Sequence, residues 1–150
     1  MIEYKVGNIL TENVEVIVNA VNCVGVMGRG LALQFKKAFP ENFVAYAAAC
    51  REGLVVPGRM FLFERSVDAK PRHIVNFPTK RHWRDNSLME DIDSGLVALR
   101  MEVESRQIQS IAIPPLGCGL GGLCWENVRP KIETTFADMQ NVSVILFGPV

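Results

Sequence analysis

Short β-branched or aromatic runs alternate along this chain with stretches whose apolar positions repeat every three or four residues. The first pattern reads as strand and the second as helix. Residues 2–6 and 14–21 are the first expected strands, the second largely buried because it is nearly all apolar. The alternation of Ile2 and Tyr4 suits an edge strand. After Gly30, the spacing of Leu31, Leu33, Phe35, Ala38 and Phe39 predicts a helix. Pro40 suits the first turn of another helix, which runs through Tyr46 to Arg51 and stops at Gly53. Residues 60–64 and 73–77 predict two more strands. Ser87-Leu88-Met89-Glu90 has the form of a capping box. The helix it opens buries Leu88, Ile92, Leu96, Leu99 and Val103. A buried strand follows at residues 110–113. Residues 126–139 form a helix with Val128, Ile132, Phe136 and Met139 on one face, and residues 142–147 form the last strand. Strands alternating with helices predict a layered α/β sandwich, with residues 65–72 as a surface loop.

The bulk numbers narrow the class. A chain of 150 residues, 49% hydrophobic and 21% charged, has room for one domain with a real core. No apolar run reaches the roughly 18 residues of a membrane span. The first residues begin directly with strand-like alternation and have no signal-peptide core, so a cytoplasmic location and no membrane partner are expected. Sixteen basic and sixteen acidic residues cancel, so any contact with nucleic acid must be local. Cys23, Cys50, Cys118 and Cys124 are scattered, without a Cys/His cluster, and no metal site is expected.

Candidate chemistry gathers at strand ends. Residues 117–122 carry four glycines in six positions between a strand and a helix N-terminus. Glycine reaches φ > 0 and lets successive N–H groups converge on an anion beside a positive helix end. A phosphate or diphosphate is the expected guest; the alternative is a tight turn without a ligand. The loop is neither G-x-G-x-x-G nor a Walker loop. Cys118 lies among these glycines and serves either as a nucleophile or, with no paired base evident, as a small residue packing under the loop. Gly25-Val26-Met27-Gly28-Arg29-Gly30 is a second glycine loop entering a helix, and two such loops fit an extended ligand with a central diphosphate. Asn19 and Asn22 end a strand, where their carboxamides either orient sugar hydroxyls or cap backbone. Lys80 follows Pro78-Thr79 at another strand end. Neighbouring Arg81 and Arg84, with partial burial, would lower its pKa towards a usable amine. The competing readings are a solvated basic loop, or a patch in which Arg81, His82 and Arg84 hold phosphates while Trp83 stacks on an unpaired base.

Together these segments resemble the macrodomain family, which binds ADP-ribose. Val18-Asn19-Ala20-Val21-Asn22 is similar to the family's strand-end asparagine motif. Pro115-Leu116-Gly117-Cys118-Gly119-Leu120-Gly121-Gly122 is similar to its diphosphate loop. The runs Gly25 through Phe35 and Asn76 through Arg84 resemble the DarG-type DNA ADP-ribosyl glycohydrolases. These are antitoxins that remove ADP-ribose from thymidine modified by a DarT-type toxin.

The resemblance implies a three-layer α/β/α macrodomain over residues 1–150, with a mixed sheet of about six strands. It places adenine near Asn8, Ile9 and Phe147, and diphosphate on the backbone from Gly117 and Cys118 through Gly119, Leu120, Gly121 and Gly122 to Leu123. The distal ribose lies between Asn22 and Gly28-Arg29-Gly30-Leu31, with Asn19 nearby. Lys80 after Thr79 is the implied catalyst, with Arg81, His82, Trp83 and Arg84 towards DNA. The implied activity is hydrolysis at thymidine of single-stranded DNA, without cofactor. Removal of ADP-ribose from glutamate or aspartate, or non-catalytic reading of ADP-ribose, are the rivals. A monomer is expected, with a DarT-type toxin as partner through a C-terminal domain outside these residues. Two departures stand out. Most macrodomains carry aspartate where Asn8 stands, and the protein glycohydrolase branch carries a catalytic aspartate where Gly121 stands.

Overall fold

The computed structural model describes residues 1–150. β1 (Ile2–Lys5) leads into one 3-10 turn at Ile9–Thr11 and then β2 (Val16–Val21). The helices α1 (Gly30–Ala38) and α2 (Pro40–Arg51) precede β3 (Phe61–Glu64) and β4 (His73–Pro78). α3 (Met89–Ser105), β5 (Ser110–Ile113), α4 (Trp125–Phe136) and β6 (Ser143–Phe147) complete the chain. The strands form one sheet in the order β1-β6-β5-β2-β4-β3, parallel throughout except for β3 on β4. β1 is an edge strand, as its alternation predicted, and exposes Glu3, Tyr4 and Lys5.

The period of two in the strands separates two cores. Val16, Val18, Val75, Phe77, Ile111 and Ile113 face α3 and α4 in a cluster of 19 buried residues. Ile17, Ile74 and Ala112 face the other way and meet Phe35 of α1. Met27, Tyr46 and Ala49 anchor α2 on that same side. The result is the expected three layers, helices on both faces of a mixed six-stranded sheet. Gly95 lets α3 approach β4: a Cβ there would stand 2.3 Å from the Phe77 ring.

Local expectations fail where tertiary contacts take over. The capping box at Ser87 does not form. α3 begins after Leu88 with no side-chain cap, and Leu88 is exposed rather than buried. Ser87 instead donates its backbone N–H to Gly121 O at 2.9 Å and is held against the glycine loop. α4 ends at Phe136, so Met139 packs against the core from outside the helix. In α1 only Phe35 is fully buried, because the first turn of this helix lines a cleft instead of the core.

Candidate active site

β2, β4, β5 and β6 run parallel, so their C-terminal ends emerge along one edge of the sheet. Loops leaving such ends enclose the ligand site in open α/β sheets. Here they enclose a cleft of about 580 Å³. Asn22 follows β2, Thr79 and Lys80 follow β4, Pro114 follows β5, and Phe147 ends β6; all five line the cleft. Gly28 and Arg29 with the first residues of α1, Gly30 to Ala32, form one long wall. Gly117 and Gly119 to Gly121 form the wall opposite.

Both walls present backbone donors. Gly117 at φ +74° and Gly122 at φ +80° adopt a conformation that strongly favours glycine, and they turn the loop between them. Gly122 N–H donates to Gly119 O at 3.2 Å, and Leu123 N–H donates to Gly117 O at 2.9 Å, which close it. The three intervening N–H groups, of Gly119, Leu120 and Gly121, have no acceptor within the chain. Facing them, α1 starts without a side-chain cap, so its first-turn N–H groups also point out of the helix. Two sets of amide dipoles therefore converge on the cleft, an arrangement suited to an anion. The loops approach closely at one point, where a Cβ on Gly30 would lie 3.4 Å from Leu120 Cδ1.

No Asp, Glu, His, Cys or Tyr lines the cleft. Its ionisable groups are Lys80 and Arg29, and its one hydroxyl belongs to Thr79, which is nearly buried. Lys80 Nζ donates to Trp83 O at 3.3 Å, which ties it to the mouth loop. Its pKa lies below the usual lysine value. Burial is the main cause and the Arg29 charge adds to it, while Asp85 opposes.

The aspartate that the protein glycohydrolase branch carries has no room here. A Cβ on Gly121 would stand 2.3 Å from Ser87 Oγ and 2.5 Å from Gly117 O.

The structure redistributes several expected site residues. Asn19 is fully buried and lies off the cleft. Its Nδ2 donates to Asn76 Oδ1 at 3.4 Å, within a group of amides that includes Asn42. Asn22 lines the cleft, but its carboxamide serves the backbone. Nδ2 donates to Val26 O at 2.8 Å, while Oδ1 accepts from Val24 N–H at 3.0 Å and Tyr46 Oη at 2.8 Å. It is the capping alternative, and it shapes the second glycine loop. Asn8 lies beside the cleft rather than in its wall, with Oδ1 accepting from Leu10 N–H at 3.0 Å; neighbouring Ile9 does line it.

Cys118 sits behind the loop, where its thiol donates to Leu116 O at 3.5 Å and burial pushes its pKa up to about 11. That is a packing residue and not a nucleophile.

In the basic patch only Trp83 reaches the cleft. Arg81 turns away to make a two-pronged pair with buried Asp91, both contacts at 3.1 Å. Arg84 stacks on the Trp83 ring at 4.6 Å, and the His82 and Trp83 ring centroids stand 5.3 Å apart.

Sequence reasoning passed over Gln34 and Gly148 to Val150, which line the cleft. Gln34 is one helical turn beyond Gly30, and residues 148–150 follow β6. The i,i+4 rule and the strand-end rule would have found them.

Residues 18–132 match the sequence profile of the family described as Macro domain. The DNA ADP-ribosyl glycohydrolase of Thermus aquaticus is 47% identical over 150 residues, which are 100% of this chain and 42% of that protein. The chain thus spans less than half the length of that relative. The solved macrodomain of Thermus aquaticus DarG superposes with a TM-score of 0.96 at 47% identity, over 99% of either chain. The Thermosipho africanus DarTG in complex with ADP-ribose matches 97% of this chain and 42% of its own, with a TM-score of 0.87 and 31% identity. The strand order, the paired donor walls and these matches agree: the chain belongs to the macrodomain family.

Proposed function

We propose that this domain removes ADP-ribose from thymidine bases of single-stranded DNA, and so acts in the cytoplasm as antitoxin to a DarT-type DNA ADP-ribosyltransferase. The observation that carries the reading is the composition of the cleft, where Lys80 is the one side chain suited to proton transfer or nucleophilic attack and no carboxylate accompanies it. Diphosphate sits on the free N–H groups of Gly119, Leu120 and Gly121. Adenine lies towards Ile9 and Phe147, and the distal ribose towards Gly28, Arg29 and Lys80. The reaction breaks the bond between the anomeric carbon and a thymine ring nitrogen; the base leaves with a proton and water supplies the hydroxyl. Lys80 either attacks the anomeric carbon as the free amine or assists departure of the base as the ammonium ion. The relatives named above carry the DNA activity in their names, which favours this reading over a protein hydrolase. The absence of space for a carboxylate at Gly121 favours it too. The test compares turnover of an ADP-ribosylated oligonucleotide with that of ADP-ribosylated glutamate. Turnover of the oligonucleotide alone supports the proposal; turnover of glutamate alone, or tight ADP-ribose binding with turnover of neither, refutes it.

Arg29→Gln separates the two roles of Lys80. Removing the guanidinium relieves part of the depression of the Lys80 pKa. The limb of the pH–rate profile that reports Lys80 then moves to higher pH. A rate that rises through this limb identifies the free amine as the working form, and a rate that falls identifies the ammonium. The displacement is upward in both cases, and an unmoved limb rejects the coupling.

Trp83 is 37% exposed and lines the cleft rather than packing in the core. Trp83→Ala therefore weakens binding of modified oligonucleotide by about 1–3 kcal/mol through loss of a base stack. Free ADP-ribose binding changes little. Titrations in a Lys80→Ala background measure both; equal losses for the two ligands would make Trp83 a scaffold residue.

A further inference from the structure

Whole-chain neutrality hides a separation of charge. Eleven of the sixteen basic residues, but only Glu41, Glu52, Glu64 and Asp68 of the sixteen acidic ones, lie between Arg29 and Arg84. Outside that segment, Lys5, Arg100, Arg106, Arg129 and Lys131 each meet a carboxylate within 4.0 Å. Inside it, only Arg72 and Arg81 do so. The segment comprises α1, α2, β3, β4 and their loops, so the unpaired cations concentrate on the α1–α2 layer and its margins, while α3 is acidic and the cations of α3 and α4 are paired with carboxylates of those two helices.

The arrangement begins at the cleft. Arg29 lines it just before the first turn of α1; Lys36 and Lys37 occupy the last turn of α1, about 10–12 Å further along the helix axis. Half-exposed rings lie among these cations. Lys36 Nζ stands 4.4 Å over Phe43, and the Arg65 guanidinium stands 4.9 Å over Phe39. Cations without acidic partners, interleaved with aromatic rings and continuous with a cleft, form the kind of surface that follows a single-stranded nucleic acid.

We infer that the outer face of α1 and α2 carries the phosphate backbone of the DNA strand beyond the modified nucleotide. The inference rests on the reading of the cleft as a site for ADP-ribosylated DNA. It moves the main backbone contacts from residues 81–84, where Arg81 is committed to Asp91, to Lys36, Lys37 and their neighbours. An acidic protein is the other class of partner such a face could take. The aromatic rings and the continuity with the cleft favour the strand.

The test uses Lys36→Glu/Lys37→Glu, with Arg129→Glu/Lys131→Glu on α4 as a control of equal charge change. Unmodified single-stranded oligonucleotide is titrated by fluorescence anisotropy at several salt concentrations. The α1 variant is expected to lose at least about tenfold in affinity at low salt, and its log–log salt slope is expected to flatten by about 1.4, two single-strand phosphate contacts. The control is expected to stay within about twofold of wild type, and both variants to bind ADP-ribose normally by calorimetry. Lys36→Gln/Lys37→Gln, which inserts no repulsive charge, is expected to lose less, in the same direction. Wild-type oligonucleotide affinity in the α1 variants, or an equal loss in the α4 control, overturns the inference. Turnover adds a separate readout: the α1 variant loses activity on a modified oligonucleotide but not on ADP-ribosylated thymidine nucleoside. If wild type turns over neither substrate, the proposed function fails, while the anisotropy series still decides the surface.

Discussion

Lys80→Ala abolishes hydrolysis and leaves ADP-ribose binding within about tenfold of wild type, a change of ~1.4 kcal/mol or less. The lysine stands at the end of β4 with its Nζ held by Trp83 O at 3.3 Å, so its placement comes from backbone on both sides. Burial and Arg29 lower its pKa, which brings both protonation states closer to working pH. Nothing else on the walls replaces it. Thr79 has no adjacent base, and Gly121 cannot be exchanged for a carboxylate without displacing Ser87 and Gly117. Loss of an acid–base group alone costs about 10²–10⁴ in rate. Loss of a nucleophile removes the pathway. Single-turnover kinetics on ADP-ribosylated oligonucleotide, with calorimetry of ADP-ribose on the same preparation, make the measurement. A variant that turns over near the wild-type rate shows that Lys80 is not the catalyst.

Gly119→Glu eliminates ADP-ribose binding in a domain that remains folded. A Cβ on Gly119 meets no heavy atom within 4 Å, and its φ lies outside the left-handed region, so the backbone accepts a side chain. Gly119 lines the cleft beside the free N–H groups of residues 119–121, so a carboxylate introduced there repels a diphosphate. Hydrogen bonds to a charged group contribute about 1.5–3 kcal/mol apiece. Losing two of them weakens binding by at least about a hundredfold. Calorimetry and thermal melting together decide the point. Unchanged affinity at an unchanged melting temperature removes the phosphate assignment from this loop. The glycine two positions on behaves differently: a Cβ on Gly121 collides with backbone, so substitution there damages the loop itself.

Much of the cleft's lining was legible in the sequence. Four glycines between a strand and a helix mark a backbone that must bend and come near a ligand, because that freedom belongs to the residue itself. Strand periodicity located the C-terminal ends of β2, β4 and β5, and the rule for parallel sheets made those ends the site. Lys80 and the glycine loop, through Gly117 and Gly119 to Gly121, do line the cleft at those ends, and the family followed from the same segments. Asn19 was misplaced because its position on β2 does not say what lies across from it. β4 brings Asn76 beside it, 57 residues away along the chain, and α2 brings Asn42 onto Asn76 in turn, across another 34 residues. Arg81 looked like a DNA contact until α3 supplied Asp91. Ser87 looked like a helix cap until Gly121 took its N–H. Charge behaved likewise: sixteen against sixteen reads as neutral, and only folding pairs the cations outside residues 29–84 while leaving most of those inside without partners. Backbone conformation and burial periodicity are local properties, carried by neighbouring residues. The partner of a polar side chain is chosen by whichever distant segment the sheet order and helix packing place within hydrogen-bond reach.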